Sequence, residues 1–140
     1  MWQYRLTNPI AQIGPPVAGQ QAIFASSALF ETLRADSHEV ESATQATDLA
    51  AARHKVGQKG AFIGTVTAVR SSAGNKKLVL DFAAQRETSV RAVVRPTRFS
   101  QFPDIKQLIG KKVWIYGVFA PHENRAEIEL TQSSQVKTVE

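Results

Sequence analysis

The side chains of this sequence that could do chemistry are mainly cations, and most of them lie in its second half. Residues 1–55 carry four Lys or Arg against five Asp or Glu, whereas residues 56–140 carry thirteen against seven. The whole 140-residue chain has a net charge of +5. A local excess of positive charge suits an anionic partner, although ordinary solubilising charges give the same pattern. The candidate chemistry is therefore electrostatic binding.

The residue types that catalysis needs are not placed for it. The sequence has no cysteine, which excludes disulfides, thiolate metal sites and cysteine nucleophiles. The histidines, His38, His54 and His122, fall in three separate segments without metal-ligand spacing. Glu127 and Glu129 lie about 6–7 Å apart on a predicted strand, a separation that acid–base chemistry can use, but a solvated strand face is the simpler interpretation. We predict a protein that is not an enzyme and holds no metal or cofactor.

Short segments of alternating apolar and polar residues, separated by turn residues, occupy the chain from residue 60 onward. This pattern is typical of a small antiparallel barrel or sandwich. The predicted strands are residues 61–70, 76–82, 88–95, 111–119 and 125–132, with a last pairing around Val136. Between the third and fourth strands, residues 97–109 have helical spacing interrupted by Pro103, which predicts one or two short helical turns. Phe99 and Phe102 are interpreted as plugs of the barrel.

The alternation also predicts which side chains face the core. On the fourth strand Val113 and Ile115 point inward, which sends Trp114 and Tyr116 outward. On the second and third strands the predicted inward residues are Leu78, Leu80, Phe82, Val90, Ala92 and Val94, and the outward residues are Lys77, Val79, Asp81, Arg91, Val93 and Arg95.

Four motifs accompany this strand order: LAAARH at residues 49–54, FIGTV at 62–66, FP at 102–103 and GKKVWIYG at 110–117. Together with three strands, a short helix and two further strands, they resemble the nucleic-acid-binding type of OB-fold domain over about residues 49–139. The resemblance implies a mainly β protein, a five-stranded Greek-key barrel with a short helix between strands three and four.

The resemblance also implies a position for the ligand. In OB domains, ligands cross the outer face of strands two and three, between the loop that joins strands one and two and the loop that joins strands four and five. The candidate nucleic-acid-binding residues at these positions are Arg70, Lys76, Lys77, Arg91, Arg95, His122, Asn124 and Arg125. Cations in such a groove would neutralise phosphates, so binding should weaken steeply with salt.

Aromatic stacking platforms usually accompany such a phosphate track. Val79 and Val93 occupy the outward positions where the second and third strands would carry aromatic side chains. Trp114 and Tyr116 on the fourth strand could stack bases, or they could be covered by the N-terminal extension or by a second subunit. We favour the covered interpretation, because exposed apolar patches usually mark interfaces.

Residues 1–48 are predicted to be a partly helical N-terminal extension, and residues 49–140 the OB-fold domain. Residues 20–34 have roughly helical spacing, and the alanine-rich residues 42–55 predict a helix with Ser42 or Thr47 as its N-cap. The extension has few large apolar residues. We expect it to dock on the barrel, to pair with another chain or to be partly disordered.

The function predicted from these observations is non-catalytic binding of single-stranded nucleic acid with low sequence preference, by a module that is an accessory subunit of a larger assembly. Two alternatives stay open: a protein-interaction or oligomerisation module that uses Trp114, Tyr116 and the extension, and a small-ligand or saccharide-binding OB domain of an exported protein. Residues 1–5 lack the basic-then-apolar order of a signal peptide, and no apolar run is long enough to span a membrane. A cytoplasmic location is favoured, and an exported one if a signal preceded Met1.

Overall fold

The structure, a computed structural model, describes residues 29–72, 74 and 76–140. Nine described strands form one mixed sheet that curls into a half-barrel, with few helices. The prediction of a mainly β protein is confirmed at this level. Residues 20–28 of the first predicted helix lie outside the described residues.

The strands are β1 (Glu31–Leu33), β2 (Thr44–Gln45), β3 (Lys59–Thr65), β4 (Ala68–Ser71), β5 (Leu78–Asp81), β6 (Arg91–Val94), β7 (Lys112–His122), β8 (Arg125–Leu130) and β9 (Val136–Val139). The helices are α1 (His38–Glu41) and α2 (Leu49–His54). Short 3-10 helices cover Arg86–Thr88, Pro96–Gln101, Ile105–Leu108 and Ser133–Gln135.

The long strand β7 holds the two parts of the sheet together. Its first half pairs with β3 and β9, and its second half pairs with β8. The sheet continues from β8 through β6 and β5 to β4, and β1 pairs with the far side of β9. Only two residues separate β3, which pairs with β7, from β4, which pairs with β5 at the other end of the sheet. Because neighbouring segments of the chain pair with distant strands of the sheet, the sheet curls.

The inner side of the curled sheet buries the hydrophobic core. Leu80, Ala92 and Ile128 lie side by side across β5, β6 and β8, and Phe119 of β7 lies opposite Ile128. All four side chains are fully buried. The six side chains predicted to face inward from the second and third strands are all buried in this core, as the alternation of apolar and polar residues requires.

Further predictions about the core are confirmed. Val113 and Ile115 are buried on β7. Phe99 and Phe102, which flank the end of one 3-10 helix, also pack in the core cluster. Val136 is buried at the start of β9, which pairs with β7.

The predicted first strand, residues 61–70, is divided into β3 and β4. Val66 N–H donates to the carbonyl of Lys111, whereas Thr67 N–H donates to the carbonyl of Asp81. Adjacent residues therefore bond to opposite parts of the sheet, so one regular strand cannot continue through them.

The described part of the extension contains β1 and β2, which the helical pattern did not predict. Residues 31–33, expected to end a helix, pair in parallel with residues 137–139 of β9. The cause is a long-range pairing that local spacing cannot show. Phe30 and Ala46 are buried in the same core as the sheet, so residues 29–48 pack on it.

The helix predicted over residues 42–55 is shorter than expected and covers only Leu49–His54. Its N-cap is Asp48, whose side chain accepts a hydrogen bond from Ala51 N–H at 3.1 Å, and not Ser42 or Thr47. Ser42 instead caps the C-terminus of α1. The preceding residues cannot extend α2, because residues 44–45 pair with β3 as β2.

Candidate nucleic-acid interface

The outer side of β4, β5, β6 and β8 carries three of the arginines predicted from the sequence to bind nucleic acid. Strand register places Arg70 beside Val79, Val79 beside Val93, and Val93 beside Glu129. We call this surface the arginine face and define it by Arg70, Arg91 and Arg95, with the carboxylates that pair with them, Asp81, Glu127 and Glu129.

The first of these ion pairs is bidentate and largely enclosed. Arg70 Nε donates to Asp81 Oδ2 at 2.7 Å, and Arg70 Nη2 donates to Oδ1 at 3.3 Å. The Asp81 side chain is only 6% exposed, whereas that of Arg70 is 30% exposed. Two-pronged pairing of this kind fixes the guanidinium plane. Arg70 is therefore oriented before any ligand arrives.

The second ion pair is part of a three-residue network. Arg91 Nε donates to Glu127 Oε1 at 2.8 Å, and Arg91 Nη2 donates to His122 Nδ1 at 3.2 Å. Burial, and next the nearby Arg91 charge, lower the pKa of His122 below 6.5. At neutral pH His122 is therefore uncharged, with its proton on Nε2, because Nδ1 accepts from Arg91.

The third ion pair is the most exposed. Arg95 Nε donates to Glu129 Oε2 at 3.1 Å, and about half of each side chain is open to solvent. Water weakens the attraction between exposed charges, so such a pair contributes about 0–1 kcal/mol. Arg95 can exchange its carboxylate for another anion more easily than Arg70 or Arg91.

Val79 and Val93 lie on the predicted outward side of the sheet, but they are buried there. Both are outside the main core cluster and are nevertheless no more than 1% exposed. Register flanks the valine pair with Arg70 on one side and Glu129 on the other, and long charged side chains can cover apolar neighbours. The arginine face thus has a closed apolar centre, and no aromatic side chain stands outward on β5 or β6.

Arg125 is buried, as Arg91 is, but its guanidinium is directed to backbone carbonyls. Its Nη1 donates to the backbone carbonyls of Arg86 and Ser89. Its Nε is enclosed and has no hydrogen-bond partner in the described part of the chain. These contacts tie the loop between β5 and β6 to β8, so the structure shows Arg125 holding a loop in place.

The remaining predicted residues lie in two turns. Lys76 is exposed in the turn before β5, and Lys77 follows it; since Leu78 lies beside Val94, Lys77 and Arg95 are at the same end of the arginine face. Asn124 is exposed in the turn after β7, and its carbonyl accepts a hydrogen bond from Arg53. His122, Asn124 and Arg125 belong to the opposite end, near Arg91.

A second surface lies on the outer side of β7, where Trp114, Tyr116 and Val118 alternate with buried residues. We call these three residues the aromatic strip. The Trp114 and Tyr116 rings are nearly parallel, with centroids 5.7 Å apart and planes 9° apart. Tyr116 is 40% and Val118 48% exposed. Trp114 is half-buried, and its Nε1 is enclosed without a hydrogen-bond partner among the described residues.

Three lysines border the aromatic strip. Lys59 lies opposite Val118 in register, Lys137 lies opposite Trp114, and Lys112 is two residues before Trp114 on β7. Lys137 Nζ is 5.6 Å from the centre of the Trp114 ring and 3.3 Å from a carboxylate oxygen of Glu31. Sequence reasoning missed Lys59 and Lys137, because only strand pairing brings them to β7.

The described residues show neither a metal site nor a membrane-spanning helix. Within residues 29–72, 74 and 76–140, no group of three or more His, Asp or Glu side chains is placed to hold a metal ion. In the same residues, no helix has the length and apolar character needed to cross a membrane.

The chain was also compared with known proteins, and it matches no protein-family model and no curated protein sequence. The chain's own residues and the geometry of the arginine face and the aromatic strip are therefore the guide to its function.

Proposed function

We propose that this chain is a non-catalytic OB-type module that binds single-stranded nucleic acid with low sequence preference across the arginine face, as an accessory subunit of a larger assembly. In this proposal β3 and β4 together are the first OB strand, and β5, β6, β7 and β8 are the second to fifth. The 3-10 helices between β6 and β7 take the place of the OB helix.

The pairing order supports the OB proposal. β4 pairs with β5, β5 with β6, β6 with β8 in parallel, β8 with β7, and β7 with β3. Read in OB numbering, this is the order one, two, three, five, four, one, which brings the chain back to its first strand. A five-stranded Greek-key barrel requires such an order.

The observation that carries the binding proposal is that three arginines stand on one side of the curled sheet, each paired with a carboxylate. A phosphate that replaces Glu129 at Arg95 gains a charge-assisted hydrogen bond with the guanidinium. The cost is small, because the exposed Arg95–Glu129 pair contributes little. Contacts with phosphates carry no sequence information, which accounts for the low sequence preference.

The test is fluorescence anisotropy of a labelled mixed-sequence single strand, titrated with the protein at two or more salt concentrations. We expect binding that weakens as salt increases. Replacing Lys77, Arg91 and Arg95 together with Ala should weaken binding to all sequences and reduce the slope of log K against log salt by up to about three.

The matched control replaces Arg34, Arg98 and Lys106 with Ala, which removes the same charge from exposed positions outside the arginine face. Because Arg91 is buried and paired, Arg95→Ala is measured alone as well, and thermal unfolding of every variant checks the fold. If the two triple variants lose equal affinity, the loss comes from the change in net charge and not from the arginine face. Undiminished affinity in the first triple variant would reject the arginine face.

The exposure of Tyr116 and Val118 favours a second candidate function, a protein-interaction or oligomerisation module. Exposed apolar surface of this kind often marks an interface. Light scattering on the sample used for the titration separates the candidates. Self-association that is insensitive to salt, without affinity for a single strand, would favour this second function.

A further inference from the structure

We infer that the aromatic strip is a second contact surface for the same single strand, on which a base stacks against Tyr116. The inference rests on the proposed function, because it names where the bases of the bound strand go. The arginine face offers no aromatic side chain on β5 or β6, whereas the aromatic strip has two stacked rings and three neighbouring lysines.

Tyr116 is the ring that a base can reach. Trp114 covers one face of the Tyr116 ring, and Tyr116 is still 40% exposed. The Trp114 ring is half-buried with its Nε1 enclosed, and Lys137 lies over it. Trp114 therefore packs against the tyrosine ring and fixes its plane. A ring that is held in its plane by a stacked neighbour and is partly open to solvent is the kind of platform that unpaired bases use.

The charges around the aromatic strip favour an anionic ligand. Lys59 and Lys112 border its two ends, and neither forms an ion pair within the part of the chain that the structure describes. Lys112 is four residues from Tyr116, or about 13 Å along the strand. Lys137, in contrast, is paired with the carboxylate of Glu31. On the arginine face, each of the three arginines already has such a partner.

A second copy of this chain fits the aromatic strip less well than a nucleic acid does. A symmetric pair of copies brings the same surface of each into contact. Centred on Tyr116, such a pairing would set the Lys112 end of one copy against the Lys59 end of the other. Like charges that face each other oppose association, whereas phosphates would neutralise them.

The experiment uses the full chain with Trp2→Phe, which leaves Trp114 as the single tryptophan. Oligothymidylate is titrated into this protein while Trp114 fluorescence is recorded, and anisotropy of the labelled strand is measured in parallel. We expect the fluorescence to change with the same midpoint as the anisotropy. A strand of equal length with abasic sites in place of the bases should bind more weakly and leave the fluorescence unchanged.

Tyr116→Leu should weaken oligothymidylate binding about five-fold or more, the loss expected for one stacked base. Ile109→Ala is the control, because Ile109 is as exposed as Val118 but lies before β7 and outside the aromatic strip. Lys59→Gln with Lys112→Gln gives a second variant whose exposed positions carry little risk to the fold. It should reduce both the affinity and its salt dependence, and Arg98→Gln with Lys106→Gln, which removes the same charge from exposed positions elsewhere, should do so less.

Each other outcome has a distinct meaning. Anisotropy that reports binding, with unchanged Trp114 fluorescence and unchanged affinity in Tyr116→Leu, would overturn this inference and leave the proposed function standing. No binding of any strand would overturn both. A dimer that dissociates in Tyr116→Leu would assign the aromatic strip to a second copy and overturn the inference.

Discussion

Each arginine of the arginine face forms an ion pair with a carboxylate of the same surface. Asp81 and Glu127 each accept a hydrogen bond from an arginine on a neighbouring strand, and Glu129 accepts one from Arg95, which follows β6. An incoming phosphate must therefore compete with a carboxylate. The outcome of that competition depends on burial, which is greater at the Arg91–Glu127 pair than at the Arg95–Glu129 pair. The exposed pair is where competition should be easiest to detect.

Glu129→Gln should increase the affinity for a single strand by up to about five-fold, since it removes the carboxylate that competes for Arg95. Anisotropy titrations at low salt measure this change. Glu87→Gln makes the same change of charge at an exposed residue of a 3-10 helix. If both variants bind equally well, the gain comes from net charge, and Glu129 does not compete locally.

His122 should make the free energy of unfolding depend on pH. Because its pKa is lowered in the folded state, by burial and then by Arg91, the unfolded chain takes up a proton at higher pH than the folded protein. The stability contributed by neutral His122 is present above pH 6.5 and is lost as pH falls from there through the lowered pKa. Glu127 and Glu123 oppose this shift, and Arg125 adds to it.

Urea unfolding at a series of pH values, for the wild type and His122→Gln, measures this dependence. The variant should lose less stability than the wild type as pH falls below 6.5. Parallel curves for the two proteins would show that the pKa of His122 does not differ between the folded and unfolded states.

At the scale of elements, β7 packs so closely on its neighbours at residue 117 that no side chain fits there, which explains the glycine. A Cβ atom on Gly117 of β7 would lie 2.6 Å from Ile128 Cγ2 and 3.0 Å from Gln135 Nε2. Ile128 is fully buried, so it has little room to move. Glycine lets β7 approach the core at this point.

Gly117→Ala should destabilise the fold by about 1–3 kcal/mol, the usual cost of overpacking. The midpoint of urea unfolding measures the loss. Combining it with Ile128→Ala removes the colliding methyl group, and the double variant should be more stable than the sum of the single changes predicts. If the two losses of stability simply add, the cost of Gly117→Ala arises in the backbone of β7 and not in its contact with Ile128.

The elements that could be predicted from the sequence are those whose alternation is local. The pattern predicted β5, β6, β7 and β8, and the inward residues of the first three, because successive side chains of a strand point to opposite faces. It did not predict β1, β2 or the break at residues 66–67, since these depend on partners far along the chain. Nor did it predict Asp48 as the cap of α2, because several polar residues precede that helix.

The candidate site could be predicted less completely than the fold. The sequence placed Arg70, Arg91 and Arg95 on one side of the sheet, and register agrees. Their pairing with carboxylates and the burial of Arg125 could not be anticipated, because both depend on which strands are neighbours. The lysines beside Trp114 come from β3 and β9, and the same limit applies to them.

At the scale of the whole molecule, the two candidate surfaces share one strand. β7 carries Trp114 and Tyr116 in its first half and His122, which contacts Arg91, at its end. Residues 29–48 pack on the same core through Phe30 and Ala46. The described residues therefore present the arginine face and the aromatic strip on one connected sheet, which a single long strand can position together.

The place of β9 in the sheet sets an order of events during synthesis. β1 pairs with β9, about a hundred residues later in the chain, and β9 in turn pairs with β7. A ribosome releases residues 31–33 early, but their partner does not exist until residues 136–139 have been made. Contacts this distant in sequence close slowly. Within the described sheet, β1 therefore has no strand to pair with until β9 has been made.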